Sequence, residues 1–273
     1  MKLVVMAGAG NTFAVLDART QVLPEDLPEL ARRLCAEAWA GKPPTLDGVL
    51  VVLAGEEGSA CRMVIYNADG SRPEACGNGL RCVAKFAREQ GFCDSDRFRI
   101  DTDAGVREVE LLREGGAVVG ATARMGAPRK VERKVALATS KGRKQATLVD
   151  MGNPHAVLFV ADERRAPVHE LGRELEYHPR FPHRTNVEFA TLRDGRIHLR
   201  VWERGVGETL ACGTGACATA VAAVLEARAS APVEIEVLGG RLKVDWDGTG
   251  DVILAGPCEN LWSGDVSLRE NER

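Results

Sequence analysis

Ala75-Cys76-Gly77-Asn78-Gly79 in the first half of the chain returns in the second half as Ala211-Cys212-Gly213-Thr214-Gly215. In both places a helical apolar pattern follows. Upstream, Tyr66-Asn67 aligns with Trp202-Glu203 without a gap. A second block repeats in the same order: Gly10-Asn11-Thr12-Phe13-Ala14-Val15-Leu16 becomes Gly152-Asn153-Pro154-His155-Ala156-Val157-Leu158, identical at five of seven places. A unit of half the chain present twice argues for two like-folded domains related by pseudo-twofold symmetry, because a solenoid needs several short units.

Around these blocks, β-branched runs bounded by turn residues predict strands at Val49 to Leu53, Met63 to Tyr66, Phe98 to Thr102, Val157 to Val160, Ile197 to Trp202 and Ile235 to Leu238. Helical spacing is confined to Leu27 to Trp39, the segment after Cys76, Val168 to Leu175 and the segment after Cys212. Strands outnumber helices without βαβ alternation, which places the chain in the α+β class with mixed sheets. After Cys76, residues Leu80, Val83, Ala84 and Ala87 share one helix face. Ala216 to Ala227 is apolar nearly all round and reads as a buried central helix.

The break at Met125-Gly126-Ala127-Pro128 sets the expected boundary. Residues 1–120 with 258–273 form one domain and residues 121–257 the other, with a last strand near Val266 to Leu268 returning to the first. Repeated site motifs should then meet in the interdomain cleft.

The chain has 273 residues, 45% hydrophobic and 27% charged, with a formal net charge of -3. That is ordinary globular composition, and it offers no basic stripe for a nucleic acid. The apolar run at the start ends at Asn11, too early for a signal-peptide core, and no stretch is long enough to cross a bilayer. A cytoplasmic location is expected, where thiols stay reduced. Of the eight cysteines, Cys35, Cys61, Cys93 and Cys258 read as small buried apolar residues. Cys76 and Cys82 are six apart and Cys212 and Cys217 five, so neither pair has the spacing of a zinc knuckle, and no metal is expected. Cys82 and Cys217 read as helix core.

Cysteine followed by Gly-X-Gly at a helix start carries chemistry. Free N–H groups and the positive end of the helix dipole stabilise an anion there. One such anion is the thiolate itself, and another is a substrate carboxylate approached by glycine-rich backbone. Inverting a carbon requires a base on one face and an acid on the other, and two symmetry-related cysteines meet that requirement with roles that swap with direction. A single such loop would be read as structural; its recurrence argues for catalysis. There is no lysine-centred pyridoxal-phosphate pattern, so no cofactor is expected.

Asn67-Ala68-Asp69-Gly70-Ser71 leading to Cys76-Gly77-Asn78-Gly79-Leu80-Arg81-Cys82 resembles the first signature of the diaminopimelate epimerase family. Glu203-Arg204-Gly205-Val206-Gly207-Glu208-Thr209-Leu210-Ala211-Cys212-Gly213-Thr214-Gly215 resembles the second. Gly152-Asn153-Pro154-His155 and Thr185-Asn186-Val187-Glu188-Phe189 fit further blocks in the family's order. The resemblance implies two similar domains, each a mixed sheet around a central helix, closing on a small amino-acid substrate. It implies cofactor-independent interconversion of LL- and meso-diaminopimelate in lysine and peptidoglycan biosynthesis, and a homodimer as the assembly.

By the same resemblance Cys76 and Cys212 are the facing acid/base pair, with His155 and Glu203 assisting proton movement. Gly77, Asn78, Gly213 and Thr214 hold the reacting carboxylate through backbone N–H groups. Asn11, Asn67, Asn153, Asn186, Glu203 and Arg204 contact the substrate, several at its distal end, where arginine suits a carboxylate and glutamate or amide oxygens an ammonium.

Two stretches depart from the family pattern: Thr12 stands where aspartate is usual, and Pro44-Thr45-Leu46-Asp47-Gly48 replaces a glycine-rich stretch. Both bear on substrate rather than mechanism. The alternatives are a related racemase of another amino acid such as histidine or hydroxyproline, and a non-catalytic amino-acid-binding relative. Asn78, where proline-racemase relatives usually carry histidine, argues against that branch.

Overall fold

Ala9 and Gly10, both at positive φ (48° and 86°), turn the chain between two antiparallel strands, β1 (Lys2–Gly8) and β2 (Asn11–Asp17). Two consecutive left-handed residues match the twist of a tight hairpin, and glycine takes the second position at little cost. The computed structural model describes residues 1–73 and 76–268. Ala75, which opens the first cysteine block, and residues 269–273 of the expected first domain lie outside the described residues.

Helix α1 (Leu27–Ala36) follows, its start fixed by Asp26, whose side chain accepts the Glu29 N–H at 2.9 Å. It stops three residues short of the Trp39 expected from spacing. Glu37 is extended (φ −73°, ψ 149°), and Trp39 folds back so that its Nε1–H donates to the Leu34 carbonyl at 2.9 Å. Trp39 therefore covers the helix end rather than extending it.

The chain continues as β3 (Gly48–Leu53), β4 (Cys61–Asn67), α2 (Gly77–Glu89), β5 (Arg97–Thr102), β6 (Gly105–Glu114) and β7 (Ala117–Arg124). Next come β8 (Lys130–Thr139), β9 (Gly142–Asp150), β10 (Pro154–Phe159), α3 (Val168–Glu176), β11 (Asn186–Arg193), β12 (Arg196–Glu203) and the short β13 (Gly207–Thr209). Helix α4 (Gly213–Leu225), β14 (Val233–Val237), β15 (Gly240–Asp245), β16 (Ile253–Pro257) and β17 (Glu259–Asp265) complete it. Two compact units result: Met1–Ala123 with the chain from Gly256 on, and Arg124–Ala255.

Within the first unit the strands run β17, β1, β2, β3, β4, β5, β6, β7, and successive pairs are antiparallel, antiparallel, parallel, antiparallel, parallel, antiparallel, antiparallel. In the second unit β8, β9, β10, β11, β12, β14, β15, β16 follow the same series of directions. The repeat read in a few residues is thus a repeat of whole topology, and the class is α+β with mixed sheets.

The place held by β8 in the second unit is taken in the first by β17. That strand lies earlier than expected: it ends at Asp265, and Val266 to Leu268 lie beyond it. Its last ladder partner is Lys2; beyond it the Val266 N–H donates to the Met1 carbonyl at 2.8 Å and the Met1 ammonium donates to the Val266 carbonyl at 2.7 Å.

Each sheet wraps a helix. Helix α2 packs against β1, β2, β3, β4 and β6, and α4 against β9, β10, β11, β14 and β15. Leu80, Val83, Ala84 and Ala87 are all buried on α2, and Gly215 through Ala223 are buried without a break on α4. With that run buried, α4 has no solvent-facing side for polar residues, which fits its apolar pattern all round. Outside each sheet, α1 and α3 seal a further cluster: Leu30, Ala31 and Leu34 against Val49, Val51 and Val64, and Val168, Leu171 and Leu175 against Leu158, Val187 and Phe189. Each large side chain so buried contributes roughly 1.5–3 kcal/mol. Cys61, Cys82, Cys217 and Cys258 are buried as expected, but Cys35 and Cys93 are half-buried, lying near the ends of α1 and β5 rather than inside a sheet. Among the described residues, no helix is long and apolar enough to cross a membrane.

Candidate active site

Both cysteines occupy the same structural position. Cys76 caps α2 with an extended backbone (φ −145°, ψ 113°), and its Sγ accepts the Gly79 N–H at 3.4 Å. Cys212 caps α4 (φ −122°, ψ 113°), and its Sγ accepts the Gly215 N–H, also at 3.4 Å. Each sulfur therefore does what a serine or aspartate oxygen does at an ordinary N-cap, with a partner that favours the thiolate. No acidic residue occupies the first turn of either helix. No acidic residue within either helix start therefore offsets the positive end of its dipole.

In the first unit, Gly77 and Asn78 supply leading N–H groups of α2, which have no partner within the helix. The buried Asn78 side chain donates to Asn11 Oδ1 at 2.6 Å and accepts from Arg81 Nη2 at 2.7 Å. Arg81 is fully buried, and its Nη1 also donates to the Gly77 carbonyl at 3.2 Å. Sequence reasoning missed this arginine, although a cation on an otherwise apolar helix turn was its signal. It ties together the loop holding Asn11 and the start of α2. Gly8 completes the approach: a Cβ there would stand 2.9 Å from the Asn78 carbonyl oxygen. Asn67 lies outside this network and bonds Ser71 Oγ at 2.9 Å.

The two departures from the family pattern touch each other. The Thr12 N–H donates to Asp47 Oδ2 at 2.7 Å, and the Asp47 N–H donates to the Thr12 carbonyl at 2.8 Å. A carboxylate absent at position 12 is thus brought beside Asn11 from position 47.

In the second unit the expected residues form one network. Asn153 Nδ2 donates to Thr214 Oγ1 at 3.3 Å, and Thr214 Oγ1 lies 3.5 Å from Cys212 Sγ. Asn153 Oδ1 meets His155 Nε2 at 3.0 Å, and His155 Nδ1 meets Glu188 Oε1 at 2.7 Å. Both His155 and Glu188 side chains are fully buried. Each ring nitrogen of the histidine thus meets a different side chain, Glu188 on one side and Asn153 on the other.

Asn186, buried, donates through Nδ2 to the Pro154 carbonyl at 2.9 Å and accepts the Arg204 N–H at the same distance. This fixes the turn carrying Glu203 and Arg204. The Arg204 guanidinium is exposed and donates to the His183 carbonyl at 3.2 Å. Glu203 Oε1 accepts from Thr209 Oγ1 at 2.6 Å. Gly213, half-buried, is the first residue of α4. Glu176, not foreseen, supports the same turn: it is buried, and its carboxylate accepts from Trp202 Nε1 at 2.7 Å and from the Gly205 N–H at 2.8 Å.

The electrostatics oppose free ionisation. Burial pushes the Cys212 thiol well above its ordinary value; the Glu203 and Glu188 carboxyls add to this in their ionised forms, while Thr214 and the Gly215 N–H pull against it. Burial raises Glu203, held back by bonds from Thr209 and Cys212 and by His155. Burial also raises Glu188, with His155 opposing. Cys212 in the free protein therefore keeps its proton at neutral pH, and the group that can take it must come close. The missed Glu188 had a visible signal: a carboxylate between Val187 and Phe189 in a strand buried at six successive residues.

The diaminopimelate epimerase family model matches residues 3–131 and 147–259. The diaminopimelate epimerase of Moorella thermoacetica is 41% identical over 98% of this chain and 100% of its own length. That of Pseudomonas fluorescens is 41% identical over 98% and 99%. Among solved structures, a Bacillus anthracis phenazine biosynthesis protein of the PhzF family superposes with a TM-score of 0.76 at 16% identity, covering 97% of this chain and 98% of that one. An Agrobacterium vitis hydroxyproline epimerase with bound trans-4-hydroxy-L-proline gives 0.70 at 18%, covering 99% and 93%. At such identities these two share the fold alone. With family blocks in order and full-length relatives at two-fifths identity, the chain belongs to the diaminopimelate epimerase family.

Proposed function

We propose that the chain interconverts LL- and meso-diaminopimelate without a cofactor, Cys76 and Cys212 exchanging the α-proton as base and acid. One observation carries the reading: the two thiols hold the same N-cap position, each with its sulfur on the N–H three residues on. Backbone N–H groups of Gly77, Asn78, Gly213 and Thr214 neutralise the reacting carboxylate, so charge building on the α-carbon is delocalised toward two helix N-termini. Glu203 and His155 adjust the proton on Cys212. Arg204 takes the distal carboxylate, and Asn11, Asn67, Asn153 and Asn186 orient the substrate's polar groups.

The enzyme works in the cytoplasm, and the assembly implied by the family is a homodimer, which sedimentation velocity measures. Following α-proton exchange by NMR in heavy water tests the chemistry. Diaminopimelate exchanges and epimerises, while histidine and hydroxyproline do not. Cys76→Ala and Cys212→Ala each lower turnover by about 10²–10⁴-fold, the usual worth of a positioned acid or base. Unchanged turnover in either variant removes the two-thiol reading.

A further inference from the structure

Glu188 has no partner for half of its carboxyl group. Oε1 meets His155 Nδ1 at 2.7 Å, whereas Oε2, fully buried, has no hydrogen-bond partner among the described residues. Leaving an anionic oxygen so placed is expensive, and a neutral carboxylic acid is the cheaper occupant. The bonds beyond it have a direction. Asn153 gives its N–H to Thr214, so its Oδ1 is the acceptor toward His155, whose Nε2 carries the hydrogen. A neutral imidazole with hydrogen on Nε2 accepts at Nδ1, and the donor there is the Glu188 O–H. Because Thr214 Oγ1 already accepts from Asn153, its own hydrogen is free to point at Cys212 Sγ, 3.5 Å away.

We propose that Glu188 is a positioning residue for Cys212, anchoring a one-directional hydrogen-bond chain through His155, Asn153 and Thr214 that ends on the sulfur. The inference rests on the acid/base use of Cys212 proposed above. Every donor in the chain points toward the thiol, and each bond strengthens the next by polarisation. A thiolate formed at Cys212 then meets the Thr214 O–H as well as the Gly215 N–H. Burial, the largest influence, favours the neutral Glu188 that the chain requires, and Glu203 adds to it, against His155 and the Ala156 N–H, which favour the anion. The titratable groups acting on Cys212 are Glu203 from β12 and Glu188 from β11, and His155 from β10 acts on both of those carboxyls.

Alkylation of Cys212 by iodoacetamide, read by peptide mass spectrometry across pH on the full chain without substrate, tests this independently of turnover. Glu188→Leu removes the donor, and alkylation at mildly alkaline pH slows about tenfold as the thiolate becomes scarcer. Its kcat for diaminopimelate falls while KM holds. Thr214→Val, cutting the last link, slows alkylation similarly. Glu188→Gln, whose amide N–H can donate to Nδ1, alkylates as fast as the natural chain. The inference is overturned if Glu188→Leu leaves the thiol unmoved or makes it more acidic, as loss of a nearby negative charge would. It is equally overturned if Glu188→Gln behaves like Glu188→Leu. Should Glu188→Leu fail to fold, unchanged alkylation in Thr214→Val or faster alkylation in Glu188→Gln overturns it. A different natural substrate would silence the turnover assay and leave these alkylation rates as stated.

Discussion

Glu188 Oε1 and Cys212 Sγ stand against the same empty point: a Cβ on Gly215 would lie 2.8 Å from the carboxyl oxygen and 3.4 Å from the sulfur. Gly215→Ala must therefore displace the Glu188 carboxyl, which is fixed by its bond to His155, and crowd Cys212. It should cost about 1–3 kcal/mol in urea unfolding, and slow turnover at least about tenfold, the effect of roughly 1.4 kcal/mol at the transition state. The matching Gly79→Ala presses on the end of Leu50 instead, 2.8 Å away. A leucine end can turn aside, so that variant should lose less of both.

Glu176 joins α3 to the turn that presents Glu203 and Arg204. Glu176→Ala leaves Trp202 Nε1–H without its acceptor, and about 1–3 kcal/mol of stability should go with it. The freed turn should show in KM for diaminopimelate more than in kcat, because Arg204 lies in the turn itself while Glu203 keeps its own bond from Thr209. Glu176→Gln keeps one acceptor oxygen and should fall between. A KM equal to that of the natural chain in Glu176→Ala would show that the turn is held by other means.

Burial raises the Glu188 carboxyl above its ordinary value of 4.5. Between that value and its raised one, the unfolded chain has released a proton that the folded chain retains. The unfolded state then binds fewer protons, and stability falls as pH rises through the window. Glu188→Gln has no proton to lose there. Comparing unfolding free energies at about pH 5 and about pH 8, the balance should shift toward the glutamine variant at the higher pH. A constant difference between the two chains would mean that the carboxyl does not titrate in this window.

The cysteines should separate cleanly by reactivity. Burial pushes Cys35 and Cys258 up to about 11 and Cys61 up to about 12, and raises Cys82 further. Thiolate is the reactive form, so all four should resist iodoacetamide at neutral pH. Cys212 should react slowly and gain rate past its ordinary value of 9.0. Half-buried Cys76 should be alkylated first, and a competing diaminopimelate should protect it. Rapid modification of Cys82 in folded protein would contradict its burial.

Much of the candidate site is legible in the sequence. The two cysteine blocks are local: Gly-X-Gly after a cysteine sets a helix start within five residues, and α2 and α4 begin where that pattern says. The paired departures were legible only as separate oddities. Thr12 and Asp47 are 35 residues apart in sequence, and their bond exists because β2 and β3 lie side by side in parallel. Glu188 and Arg81 were passed over because a charged residue in an apolar segment signals burial without naming its partner. Those partners, His155 on the adjoining strand and Asn78 one helical turn back, depend on register and rotamer.

The sequence by itself determined the class, the duplication and the thiols, since each follows from short-range pattern: period, turn residues and a motif repeated in order. Only tertiary structure decided which groups share a proton or a hydrogen bond. That depends on strand pairing between residues far apart in the chain, such as His155 opposite Asn186, which sets Glu188 on the neighbouring strand beside the histidine and burial around both.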